Sequence, residues 1–226
     1  MAGFSSQDNM INALTVDGNG YRADWQKSTF ATTAHTAGLW YSLFRGGGNP
    51  PADTILGTGT NLAFQALTDT TANATGIPHG GDVGGYKVLL NAAAQTAAAT
   101  TAPCVLMLVD LLGFYNITSV TTTGAQTLNN TVTLPRYTTG AGVQAFLTPS
   151  TVMGAATPNL SIGYTNSAGT AGRATPATLP IGNTAAAVTS IVYSGTGNGK
   201  FGPFMPLQAG DAGIRSVQRS EEHTSE

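Results

Sequence analysis

The stretch "NLSIGYTNSAGTAGRAT", residues 159–175, decides the fold. Its first half is a short run of alternating and β-branched residues, and the cluster Asn166–Gly169 supplies turn chemistry. That combination predicts a β-hairpin with its tip at Asn166–Gly169. The same grammar continues on both sides of it. "NNTVTLPRY", "GVQAFLTPS" and "AAAVTSIVYS" are short strand-like runs, and "FGPFMPLQAGDAGIRSVQ" follows them. Turn clusters separate these runs at the spacing of a sandwich or barrel, so the chain from residue 121 on is expected to be all β.

Further upstream the pattern changes. "PCVLMLVDLLGFYNITSV", 103–120, is rich in large apolar side chains and predicts a buried central strand broken near Gly113. Its single charge, Asp110, needs a partner or an exit to solvent. "YKVLLNAAAQTAAA", 86–99, predicts an Ala-rich helix. "FSSQDNMINAL", 4–14, predicts a short helix capped by Ser5 or Ser6, with Met10, Ile11 and Leu14 as its apolar stripe. "AGLWYSLF" is strand-like and runs into "RGGGNPPAD", which reads as loop. The expected fold is mainly β: a β-sandwich, jelly-roll or immunoglobulin-like, with a short N-terminal helix and one Ala-rich helix. Residues 1–80 would form an N-terminal segment of a short helix and extended pieces, and 81–218 the sandwich.

Residues 219–226, "RSEEHTSE", stand apart. They contain all three glutamates of the chain, while the eight other acidic residues are aspartates. The codons AGA TCG GAA GAG CAC ACG TCT GAA would spell this peptide and match the start of a common sequencing-library adapter. The segment is therefore read as a scar that replaces the natural C-terminus, with a natural solvated charged tail as the alternative. It is expected to pack on nothing, with Glu221, Glu222, His223 and Glu226 exposed and no strand beyond Gln218. An unpaired edge or an exposed apolar groove is expected near Gly213–Val217.

Without Arg219 and the three glutamates, the chain carries eight basic and eight acidic residues. A neutral body argues against direct nucleic-acid capture and against a polybasic membrane-surface binder. Charged residues are 9% of the chain, against about a quarter in an ordinary domain. Such a surface suits an assembly in which most faces are covered. The N-terminus "MAGFSSQDNM" has neither the basic nor the apolar region of a signal peptide, and no apolar run reaches membrane length. Cys104, the one cysteine, lies in an apolar run and reads as a small buried hydrophobe.

No catalytic set assembles from the sequence. "SGTGNGKF", 194–201, has Ser194 where a phosphate loop requires Gly and Phe201 where it requires a hydroxyl. His79 and Asp82 in "HGGD" lack a third ligand, so neither a metal site nor a cofactor is expected. Asn73, Asn116 and Asn129 match the glycosylation pattern by chance in a Thr-rich chain. The interface candidates are Trp25, Trp40 and Tyr41, which read equally as aromatic anchors or as plain core, and Arg136 and Arg215 as ion-pairing residues. Asp82, Asp110 or Asp211 are their possible partners, and Arg173 reads more simply as a solvated strand residue.

"GLWYSLFRGGGNPPAD", "NNTVTLPRYTTGAGVQAFL" and "GPFMPLQAGDAGIRSVQ", with the "IPHGGDV" loop and the Ala-rich segment in the same order, resemble a family of tailed-bacteriophage virion proteins. The resemblance covers most of residues 1–218. It implies a non-enzymatic structural protein, capsid-associated or decorating, assembled in the host cytoplasm and resident in the virion. Its partners would be copies of itself and other virion proteins such as the major capsid protein. The resemblance supplies no catalytic or binding residues. A tail or host-surface receptor-binding module is the second reading, and a β-sandwich hydrolase, which lacks carboxylate pairs and metal ligands, the third.

Overall fold

The computed structural model describes residues 5–15, 20–27, 40–56, 62–68, 76–77, 89–93, 105–117, 124–150, 159–176, 190–191 and 203–223. The chain divides into two compact units, one of Met1–Trp25 with Ile77–Asp110 and one of Gln26–Gly76 with Leu111–Glu226. The first unit thus draws on both sides of residue 80.

In the first unit, α1 (Gln7–Thr15) forms where its caps predict it. The Asn9 amide donates to Ser6 Oγ at 3.1 Å, Asn9 Nδ2 donates to Ser5 Oγ, and Asp8 favours the positive end of the helix. The apolar stripe stays at the surface: Ile11 and Leu14 are both exposed. The expected Ala-rich helix does not form over Leu89–Ala93, which carry no regular structure and are exposed. Helices this short are marginal without an apolar face to pack against. The remaining residues of 86–99 lie outside the described set.

The expected buried strand at 103–120 is also corrected. Val105–Asp110 form neither strand nor helix and are exposed, and among the described residues of the run the strand is confined to β5 (Gly113–Phe114). A run that is apolar on both faces needs cover on both faces, and no described strand pairs with 105–110.

The second unit is mainly β. Its strands before β5 are β1 (Gln26–Lys27), β2 (Trp40–Tyr41), β3 (Gly48–Asn49) and β4 (Gln65–Ala66). After it come β6 (Gln126–Thr127), β7 (Asn159–Asn166), β8 (Arg173–Ala174), β9 (Ser190–Ile191) and β10 (Ile214–His223). Among the described residues three antiparallel pairs, β1–β3, β2–β9 and β4–β5, accompany one antiparallel sheet ordered β6–β10–β7–β8. The loop "RGGGNPPAD" therefore holds strand β3 and the end of a 3₁₀ turn at Leu43–Arg45. "NNTVTLPRY" and "GVQAFLTPS" form no strands, apart from a single parallel bridge of Ala63 with Asn129.

The hairpin forms as the sequence predicts, with Tyr164 opposite Arg173 and Gly163 opposite Ala174. β7 is the spine of the sheet, flanked on its two edges by β10 and β8 and buried continuously from Leu160 to Tyr164. The core gathers Leu128, Leu160, Ile162, Tyr164, Met205, Ile214 and Val217, with Trp40, Tyr115, Phe146 and Leu207 packed against it.

β10 contradicts the expected end of structure at Gln218. It runs on to His223 between β6 and β7, with Ser220 opposite Ile162 and Glu221 opposite Ser161. Ser220 is 1% exposed and Glu221 is only partly exposed. Glu221 pairs with Arg219 at 3.4 Å, inside the same eight residues. Strand pairing is made by backbone groups, so a polar segment that turns one small residue inward zips onto β7 as well as an apolar one. Among the described residues the Ser220 Oγ has no hydrogen-bond partner. Since a buried orphan hydroxyl costs about 1–3 kcal/mol, Ser220→Ala is expected to raise the urea midpoint at unchanged slope. A lower midpoint would show that the hydroxyl has a partner in solution.

Candidate functional site

The described polar side chains gather at three places. The largest gathering spans the β7–β8 hairpin and the loop before β10. Asp211 Oδ2 accepts from the Tyr164 hydroxyl at 2.6 Å and from Arg173 Nε at 2.9 Å, and its Oδ1 accepts from Asn166 Nδ2 at 2.7 Å. The Tyr164 oxygen accepts from the Gln208 amide at 2.9 Å, and Asn166 Oδ1 accepts from the Thr170 amide at 2.9 Å. The hairpin positions these groups: the register that sets Tyr164 opposite Arg173 aims both at the same carboxylate. The Asp211 side chain is 3% exposed. The Arg173 guanidinium, then the Tyr164 hydroxyl and the Asn166 amide, hold its carboxyl down to about 2. Burial, with the hydrogen bond to Asp211, pushes the Tyr164 phenol up.

This network is a fastener. A carboxylate with its oxygens occupied and a pKa near 2 is a poor base at neutral pH, and a phenol raised above its usual value is a poor acid. The folded pKa of Asp211 lies below its unfolded value of about 3.9. Its contribution to stability is therefore full above about pH 4 and is lost as pH falls through about 2. Tyr164 behaves oppositely: its contribution is present below about pH 10 and is lost as pH rises through its raised value. Asp211→Asn is expected to flatten the acid limb of a denaturation midpoint plotted against pH. An unchanged slope between pH 4 and 2 would remove Asp211 as its cause.

The second gathering closes the 45–56 loop. Lys27 Nζ donates to three backbone carbonyls, Gly46 at 3.2 Å, Pro50 at 2.8 Å and Pro51 at 3.2 Å. Burial pulls the Lys27 ammonium below its usual pKa, against the opposing pull of the Asp53 charge. The fully buried Asp53 side chain accepts from the Leu56 amide at 2.9 Å and lies 3.8 Å from Arg45 Nε. Arg45 also donates to the Pro149 carbonyl at 3.3 Å and the Leu56 carbonyl at 3.4 Å.

The third is a pair of side chains standing in for a strand. The Tyr115 hydroxyl donates to Asn130 Oδ1 at 2.5 Å and accepts from the Val217 amide at 3.2 Å, while Asn130 Nδ2 donates to the Val217 carbonyl at 2.7 Å. Phenol and amide together present a donor and an acceptor to Val217, as a neighbouring strand would. The expected unpaired edge at Gly213–Val217 is thus closed there. Nearby, the Ile214 amide donates to the Val143 carbonyl at 3.0 Å.

The interface candidates fare unequally. Trp40 is partly buried and packs on the core, and Tyr41 is its partly buried neighbour in β2. Trp25 is partly buried in the first unit. Arg136 Nη1 donates to the Leu67 carbonyl at 3.2 Å and Nη2 to the Leu111 carbonyl at 3.5 Å, so its guanidinium ties its own chain together. Arg215 is exposed on β10. Asp211, expected as an intersubunit partner, is taken by Arg173, and Arg173 is an ion-paired rather than a solvated residue. His35, His79, Asp82, Asn73, Cys104 and 194–201 lie outside the described residues, and Asn116 is buried.

The roles of Lys27, Asp53, Tyr115 and Asn130 were not legible in the sequence. Each depends on a partner that topology brings near. The one local signal was Asp53 at the end of a Gly- and Pro-rich loop. Among the described residues no three of His, Cys, Asp and Glu meet as a metal site, and no helix is long and apolar enough to cross a membrane. No protein-family model, curated protein or solved structure matches the chain.

Proposed function

We propose that the chain is a non-enzymatic structural protein of a tailed-bacteriophage virion, capsid-associated or decorating, built around a β-sandwich. It packs against copies of itself and against other virion proteins such as the major capsid protein. The observation that carries this reading is Val105–Val109, five consecutive large apolar residues that all stand exposed. Exposed apolar patches mark surfaces that another molecule covers. The polar clusters fit the same role, because their groups are engaged in holding loops and strands.

The second reading, a tail or receptor-binding module, draws on Tyr137. This tyrosine is 61% exposed and sits at a φ of 51° in the loop leading to Gly140 and Gly142. A bulky residue held in the left-handed region is a conformation associated with binding sites. Mass spectrometry of purified virions tests both readings. Many copies per particle support decoration and a few support a tail role. Absence from the particles removes both.

A further inference from the structure

We infer that Val105–Val109 is a self-pairing strand, through which two copies of this chain join as an antiparallel ribbon with its two-fold axis at Met107. The sequence Val105-Leu106-Met107-Leu108-Val109 is palindromic. In an antiparallel pair centred on Met107, Val105 faces the second copy's Val109, Leu106 faces its Leu108, and Met107 faces its own counterpart. Identical or matched aliphatic pairs then meet along the whole seam, the self-complementarity that a closed two-fold interface requires.

The structure leaves this segment ready for it. The five residues are exposed at 77, 46, 44, 59 and 47%, so no face is covered. Among the described residues none of them has a hydrogen-bond partner. Their backbone groups are therefore open to a second strand. Nothing charged lies between Lys87 and Asp110 to oppose the approach. In this register the two Asp110 side chains are six residues apart along the ribbon, about 20 Å at roughly 3.3 Å per residue. That exceeds the Debye length of about 8 Å at physiological ionic strength.

The area decides the strength. Full burial of a large aliphatic side chain removes about 60–120 Å² at the usual coefficient. Ten side chains that begin about half exposed therefore lose at most on the order of 300–600 Å², since a ribbon leaves its two faces open. A stable specific interface needs about 1,000 Å² or more. The ribbon alone is a weak contact, which gains strength when many copies are held on one scaffold. The inference names a surface for the self-association in the assembly reading above and rests on that reading only for its biological setting.

Cysteine cross-linking of the full chain in a Cys104→Ser background tests the register. Met107→Cys is expected to form a disulfide dimer under mild oxidation, because directly opposed Cα atoms lie about 4.5–5.5 Å apart, within disulfide range. Val105→Cys and Val109→Cys are each expected to stay monomeric alone, since a residue and its own copy are then about 13 Å apart. Mixed together, these two variants should cross-link. Equal cross-linking of all three single variants, which an in-register parallel pair or unspecific clustering would give, overturns the inference. So does the failure of Met107→Cys to cross-link at any concentration. Either result leaves the virion mass spectrometry untouched, so the two readings fail separately.

Discussion

Removing residues 219–226 is expected to destabilise the chain by about 2 kcal/mol. Five of the eight residue pairs between β10 and β7 involve residues 219–223. Their backbone hydrogen bonds contribute about 0.5–1.5 kcal/mol each, but ordering the same five residues costs about 1–2 kcal/mol apiece. Those two terms nearly offset. What remains is the cover that the strand gives to Leu160 and Ile162, opposite Glu222 and Ser220. Full burial of such side chains is worth about 1.5–3 kcal/mol each, and losing one flank forfeits about half. Urea denaturation of the 1–218 chain measures the effect. A stability equal to that of the full chain would show that the last strand is not docked in solution, as an adapter-derived tail that packs on nothing requires.

Tyr164→Ala is the point substitution with the largest expected loss. Tyr164 is fully buried at the centre of β7, and its hydroxyl links Asp211 to the Gln208 amide. Truncating a buried aromatic costs about 3–5 kcal/mol. That is a large part of the roughly 5–15 kcal/mol by which domains are stable. Tyr164→Phe separates the two contributions. It keeps the ring and leaves the Gln208 amide without its acceptor, at about 1–3 kcal/mol. If Phe proved as harmful as Ala, the hydroxyl network and not the packing would hold the sheet.

The hairpin was legible because its signals are local: a run of strand formers, a turn cluster, a second short run. β10 was legible only to Gln218. Its buried positions are Ile214, Val217 and Ser220, three apart, where a regular strand buries every second residue. Two bulges account for the spacing, since register shifts fall between Ile214 and Ser216 and between Val217 and Arg219. Each adds one residue to β10 with no partner on β7. The signal in Val105–Val109 was real but ambiguous: apolarity on every residue is equally the mark of a central strand and of a strand awaiting a second chain. Of the candidate site, Asp211 was visible as an ion-pair partner, and its attachment to Arg173 of the same chain was not. That choice depends on a register sequence patterns do not specify.

Lys27 carries a consequence of a different kind. Three carbonyls converging on a positive charge are what many extracellular loops present to a metal ion. Here the charge arrives on a side chain of the same molecule. A tethered cation cannot be diluted away, competed off by another ion or stripped by a chelator. The loop from Arg45 to Leu56 is closed by a cation that belongs to its own chain.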